Sequence, residues 1–352
     1  MNYCDDYARS IAISNGFVLD TMPTTDDSPF VTTTVLSAAT GTALAPVAVT
    51  GGAPSTLAFS TTSANPNFNS GYATRKALFG LTTTGRQRQT FYLPLRNILD
   101  FCEPNKVIRG CAIRLELVKR SIFEMVYGSS AESYFSIDKC SLWMPIIQPS
   151  LPILASLESQ ISKGISIPWS YNNWRTYSSN GSKETNRRYQ FNTQSDKPLF
   201  CFLVCKFDKP SATLQQNFNN LAFDHCNATS CQLLVNGLRV PYSAYTPVWG
   251  AGSTQDTSRV YSALMEYNSK YLADSETGSL INIANHRSLY PYYFFDLGSL
   301  DDLPSNGGYQ LSVEITLASP APTENMVMYL TVVSESRWNL VGGEQGLQVI
   351  QA

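Results

Sequence analysis

Cys140-Ser141-Leu142-Trp143-Met144-Pro145 ends a strand-like run that begins at Tyr134. An apolar connector through Leu154, Leu157 and Ile161 follows it. The chain then resumes with Ile165-Ser166-Ile167-Pro168-Trp169 and the aromatic Ser170-Tyr171-Asn172-Asn173-Trp174. The stretch closes near Phe207 on Lys197-Pro198-Leu199-Phe200-Cys201-Phe202-Leu203-Val204-Cys205. This order reads as a seam joining two similar β-domains. Between Pro149 and Gly164 the spacing of Leu154, Leu157 and Ile161 predicts two turns of helix, with Gly164 placed to end it.

Downstream of the seam, the residues 232–240 hold Leu233-Leu234-Val235, then Asn236-Gly237, then Leu238-Arg239-Val240. Asn-Gly between two apolar runs is the strongest short-range hairpin signal in the chain. Arg259 to Leu272 predicts a helix with Val260, Ala263, Leu264 and Tyr267 on one side. Tyr292 to Leu297 predicts a buried strand. Gln310 to Leu317 alternates, with Leu311, Val313, Ile315 and Leu317 facing inward. Met326 to Val333 is nearly all apolar, as expected for a strand covered on both faces, and a hairpin is expected between these last two runs.

Upstream, Cys111-Ala112-Ile113-Arg114-Leu115-Glu116-Leu117 has the cleanest period of two in the first half. It predicts a strand with Cys111, Ile113, Leu115 and Leu117 inward. Another strand is expected to hold Tyr134, Phe135 and Ile137 and to lead into Trp143. Thr90 to Leu95 reads as extended, and Asn97 to Phe101 as a single helical turn. Val31 to Gly71 is dominated by Thr, Ser, Ala, Gly and Pro, and two readings are open there. One is a flexible or loosely packed region. The other is a pair of strands around Val31–Leu36 and Ser55–Phe59.

Composition agrees with an all-β chain rich in turns. The 352 residues suffice for two domains, each with its own core. Only 15% are charged and the formal net charge is −2, so the basic excess of a sequence-independent nucleic-acid binder is missing. Met1 to Asp6 shows no basic region followed by an apolar core, so no signal peptide is expected, and no apolar run approaches a membrane span. The eight cysteines are scattered, and most are expected to be reduced, buried and apolar in role.

The residues offer little for catalysis. His225 and His286 lie far apart in sequence, and neither has partners at a recognised metal-ligand spacing. His225-Cys226 with Cys231 comes nearest to a metal cluster but lacks a fourth ligand. Cys201 and Cys205 share one strand face and are expected in the core. No Gly-x-Ser-x-Gly motif and no phosphate-binding glycine loop is present. Asp301-Asp302 reads as a solvated pair in a turn. Arg187-Arg188, and Arg86 with Arg88, read as surface or subunit-contact clusters, with nucleic-acid contact a weaker reading. The five tryptophans, Trp143, Trp169, Trp174, Trp249 and Trp338, are expected in the core ahead of an interface.

A family resemblance follows from the order of short motifs. They are Phe91-Tyr92-Leu93-Pro94-Leu95 with Ile98-Leu99-Asp100-Phe101-Cys102, Lys106 to Gly110, and Trp143-Met144-Pro145. They continue with Ser170-Tyr171 and Trp174, Lys197-Pro198, Gln216-Asn217, Leu233 to Gly237, Tyr261, Tyr267, Pro291 and the closing alternating strand. Across roughly residues 85 to 340 this order resembles the double jelly-roll major capsid proteins of the Polinton-like and adintovirus-like lineage and its insect and nematode relatives. Val31 to Gly71 and the polar Ser178 to Ser182 depart from the pattern.

The resemblance implies an all-β fold of two consecutive jelly-roll β-sandwiches, a double jelly roll, joined by a short helical connector. Its expected limits are 1–148 for the N-terminal jelly roll, 149–164 for the connector and 165–352 for the C-terminal jelly roll. It implies a structural subunit whose homotrimers form pseudo-hexagonal capsomers of an icosahedral DNA-virus shell, located in the virion. The partners implied are other copies of the chain and minor capsid or penton proteins. No catalytic, cofactor-binding or metal residues carry over, and neither enzyme activity nor a cofactor is expected. Three further readings stand beside it. One is a β-sandwich glycan- or receptor-binding module using the aromatic-rich Tyr242 to Trp249. The others are a β-sandwich hydrolase and a host protein domesticated from a capsid gene.

Overall fold

The computed structural model describes residues 31–32, 47–48, 90, 92, 95, 99–102, 114–118, 136–164, 166–191, 193, 197–207, 223–249, 256–271, 281, 283–288, 290–298, 308–318, 325–343 and 346–351. A two-residue ladder pairs β1 (Val31–Thr32) with β2 (Val47–Ala48). The first of the two strands expected in this region thus begins where expected and pairs with Val47–Ala48. Ser55 to Phe59 lies outside the described residues.

Two sheets make up the second half. Their strands are β3 (Ser166–Ser178), β4 (Asn186–Phe191), β5 (Pro198–Phe207), β6 (Ala228–Val235), β7 (Leu238–Tyr245), β8 (Tyr293–Asp296), β9 (Leu311–Leu317) and β10 (Met326–Gly343). One sheet runs β3–β10–β5–β8 and the other β4–β9–β6–β7, every ladder antiparallel. The chain is therefore one long hairpin rolled up. β3 pairs with β10, β4 with β9, β5 with β8 and β6 with β7, around the tight turn at Asn236-Gly237. That winding into two facing sheets is the jelly roll. A last strand, β11 (Gly346–Gln351), joins the far end of β10, on the edge that β5 leaves after Ser334.

Each element has a local cause. Asn236 and Gly237 both have positive φ, 50° and 85°, as the β6–β7 turn requires. The core lies between the sheets, where Leu311, Val313 and Ile315 of β9 meet Cys201, Leu203 and Cys205 of β5. Helix α2 (Ser258–Tyr271) buries Val260, Ala263, Leu264 and Tyr267, the four expected. Its Tyr267 and Tyr271 rings pack on Phe200 and Phe294, which point out of the opposite side of the β5–β8 sheet. Strand β5 is thus covered on both faces, and its unbroken apolar run follows from that. Helix α1 (Leu151–Ser162) rests against β10 on the half-buried Leu154, Leu157 and Ile161. Gly164, at φ 70°, follows its end. Upstream, Leu95 and Asp100–Cys102 form short turns, as expected near Asn97 to Phe101, and the Trp174 indole donates to Asp100 Oδ2 at 3.1 Å.

Several expectations fail. β9 and β10 do not form a hairpin. They lie in opposite sheets, because from β3 to β10 the rolled ribbon sends consecutive strands to alternate layers except at β6–β7. β10 is covered on both faces only at its Val332–Val333 end: before it, Met326, Met328 and Leu330 point inward while Val327, Tyr329 and Thr331 stay half-buried. It owes its apolar character to being a central strand, paired along both edges. Residues 136–150 form no strand, and Trp143 is 84% exposed. Residues 114–118 are also irregular and exposed, although Leu115 and Leu117 carry the cleanest alternation upstream. Neither run has a ladder partner among the described residues, and a strand without one leaves its backbone groups to water. Thr90 and Tyr92 are likewise exposed and outside any strand.

Candidate functional site

The two histidines, 61 positions apart, converge on one indole. His225 sits in the bend between β5 and β6, where Asp224 N–H donates to Cys205 O at 2.9 Å. Trp249 follows β7, just after the Val248 to Asp256 bridge that leads towards α2. His286 lies on a short helix, α3 (Ile283–Ser288), that precedes β8. The His225 ring stacks on Trp249 with centroids 4.8 Å apart and planes 1° from parallel. His286 approaches the same indole at 6.3 Å and meets the Tyr261 ring edge-on at 5.5 Å. All three side chains are buried.

The hydrogen bonds fix this arrangement. The Trp249 indole N–H donates to Ala228 O at 2.9 Å. His225 Nδ1 accepts the Asn227 backbone N–H at 2.9 Å, so its ring proton resides on Nε2. His286 Nε2 lies 3.0 Å from Tyr292 O, and Nδ1 has no hydrogen-bond partner among the described residues. The first nitrogen is therefore the donor. Burial pushes both imidazoles down, His225 well below the usual histidine range and His286 to about 4. Both are neutral at pH 7.

Cys226 and Cys231 lie in the same buried neighbourhood, with Cys205 and Tyr293. Burial pushes both thiols and the Tyr293 phenol well up, so none ionises near neutrality. Among the described residues no group of three or more His, Cys, Asp or Glu side chains is placed to hold a metal ion. His225, Cys226 and Cys231 are close in space but fail as ligands, since the His225 lone pair is taken by Asn227 N–H and Cys226 Sγ faces Asp224 O at 3.6 Å. Cys201 and Cys205 are core residues, as expected. Of the described cysteines four are buried, while Cys102, at the end of the short turn Asp100–Cys102, and Cys140, in the irregular 136–150 run, are exposed.

Arg187-Arg188 does not act as one basic patch. Alternation along β4 sends Arg188 outward, where it pairs with Glu314 at 3.4 Å. Arg187 turns inward and is buried. Its guanidinium donates to Met326 O, Asn180 O and Ser179 Oγ, which ties β4 to the start of β10 and the end of β3. Arg86, Arg88, Asp301 and Asp302 lie outside the described residues. At the outer end of α2, Asp296 receives Lys270 Nζ at 2.6 Å, Tyr271 OH at 2.9 Å and Gly298 N–H at 3.0 Å. Burial alone would raise this carboxyl, yet these donors hold it below its ordinary value. It is a clasp between α2 and β8.

The aromatic-rich 242–249 segment forms no sugar-binding platform. Tyr245 and Trp249 are buried, leaving Tyr242 as the one exposed ring of the three. Among the tryptophans, Trp169 and Trp249 are core residues, Trp174 and Trp338 are half-buried, and Trp143 stands in solvent. The sequence gives no sign that His225 and His286 share Trp249, because only the roll of the sheets brings three distant loops to one end. The inward turn of Arg187 did carry a signal: Arg187, Tyr189 and Phe191 alternate with Arg188 and Gln190.

No family model matches the chain, and no curated protein matches it. Among solved structures it is similar to a chain of the Sputnik virophage cryo-EM structure at 13% identity, covering 53% of this chain and 39% of that one with a TM-score of 0.31. It is also similar to the mavirus major capsid protein crystal structure at 12% identity, covering 53% and 41% with a TM-score of 0.29. The chain thus spans about two-fifths of each of these structures. Superpositions this loose leave the fold assignment to the ladder order itself.

Proposed function

We propose that this chain is a major capsid protein, the structural subunit of an icosahedral DNA-virus shell. In this reading two jelly rolls, 1–148 and 165–352, stand in tandem about the 149–164 connector, and three chains make a pseudo-hexagonal capsomer. Its partners are other copies of itself and the minor or penton proteins that fill the vertices, and its place is the virion. The reading is carried by the complete jelly-roll winding of the second half, joined to the motif order that resembles double jelly-roll capsid proteins. The interior supports a structural role, since its histidines and thiols are neutral and committed to packing. Exposed Trp143 and Ile146 (93%) before the helix, and Leu151 (80%) at its start, offer apolar surface of the kind that assembly covers.

Expression of the full chain followed by electron microscopy tests this reading. Closed shells or pseudo-hexagonal arrays are the expected result. Dispersed single chains that bind a glycan and never assemble would overturn it.

A further inference from the structure

The chain has only two histidines, and both lie against the same buried indole. Around Trp249 they join the bend into β6, the exit from β7, and the helix that leads into β8. One end of the sandwich is therefore closed by three segments, two of which extend beyond the β6–β7 ladder. Protonation works against each contact. A proton on His225 Nδ1 would face the Asn227 N–H that now donates to it, turning a hydrogen bond into a clash of donors. A proton on His286 Nδ1 would be a buried donor with no hydrogen-bond acceptor among the described residues.

Among the described residues, the titratable and charged groups around the two rings are these. Asp224 is the adjacent carboxylate, but its Oδ2 accepts Phe207 N–H at 3.0 Å and serves the β5 end of the bend. Asp256 is exposed and bonded by Ser258. Arg287, the residue next to His286, is cationic and donates to Thr257 Oγ1 at 2.9 Å. The facing tyrosines from α2 and β8, Tyr261, Tyr292 and Tyr293, and the thiols Cys205, Cys226 and Cys231 from β5, the bend and β6 supply no charge of opposite sign. Their phenol and thiol groups are neutral in the acidic range.

We propose that His225, Trp249 and His286 form an acid-operated latch that keeps this end of the jelly roll closed while both imidazoles are neutral and releases it when they are protonated. The linkage has a definite sign. Freed imidazoles take up protons near pH 6.5, whereas the latched ones resist until lower pH, His286 to about 4 and His225 well below its ordinary range. The open form therefore binds more protons, and the closure is complete above about pH 6.5 and weakens as pH falls towards 4. With two such sites the opening equilibrium shifts by up to about 100-fold per pH unit. The inference concerns the second jelly roll alone and stands whether or not the chain builds a shell.

Amide hydrogen exchange on the full chain, corrected for intrinsic rates and followed from pH 7.5 to 5, tests it. Segments 224–230 and 286–293 are expected to lose protection steeply below pH 6.5, while β9 and β10 keep theirs. His286→Gln is expected to reduce the slope to about 10-fold per unit, one proton in place of two. Should that variant fail to fold, the wild-type slope decides alone. Protection at the two segments that is independent of pH would overturn the latch. So would loss of protection that spreads equally through β9 and β10, which would be global unfolding.

Discussion

Residues 111–117 and 311–317 carry the same signal. Both alternate apolar and polar residues over seven positions, and from the sequence alone the first is no weaker a strand than the second. In the structure Leu311, Val313, Ile315 and Leu317 point into the core, and β9 is paired on one side by β4 and on the other by β6. Residues 114–118 are irregular, with Leu117 64% exposed. Alternation states which face a strand would bury. Only a partner on each edge and a second sheet across the core turn that statement into a strand.

The largest effect should come from cutting into the paired run. Leu311→Ala is expected to lower the stability of the second jelly roll by about 2–5 kcal/mol in urea unfolding, the cost of a core cavity. Leu117→Ala should leave the same transition within about 0.5 kcal/mol. Equal losses from the two changes would break the comparison.

The arginine pair sharpens the contrast at adjacent positions of one strand. Arg187→Met removes the charged donor to two backbone oxygens and a hydroxyl at the sheet junction, with an expected loss of about 1.5–3 kcal/mol. Arg188→Met removes one exposed ion pair with Glu314 and should cost about 0.2–1 kcal/mol. If thermal melts found the two variants equal, the inward turn of Arg187 would be wrong. The turn gives an effect between those of the two arginines. Gly237→Ala places a Cβ at φ 85° in open space, so the cost is conformational alone, about 1–2 kcal/mol, with no change in the spectrum of the folded state.

What could be read from the residues was local. The Asn236-Gly237 hairpin, the four buried positions of α2, the helix after Pro149 and the inward set of β9 all follow from patterns shorter than a helix or a hairpin. What could not be read was pairing over distance. The expected β9–β10 hairpin failed because adjacency in sequence is a poor guide in a rolled ribbon, where β10 finds β3 more than 150 positions upstream. The histidine pair was missed for the same reason, since it exists only where the roll closes. Cys201 and Cys205 were legible as core because an apolar run surrounds them. Trp143 was not legible, because nothing in its own run tells whether a second layer will cover it.

The central claim is that this chain is a repeating structural subunit, and the most direct measurement is the solution mass of the full protein by light scattering. One chain is 38.8 kDa. The account predicts a stable closed trimer of about 116 kDa, or larger closed assemblies built from it. A well-folded species that stays at 38.8 kDa at every concentration would contradict it.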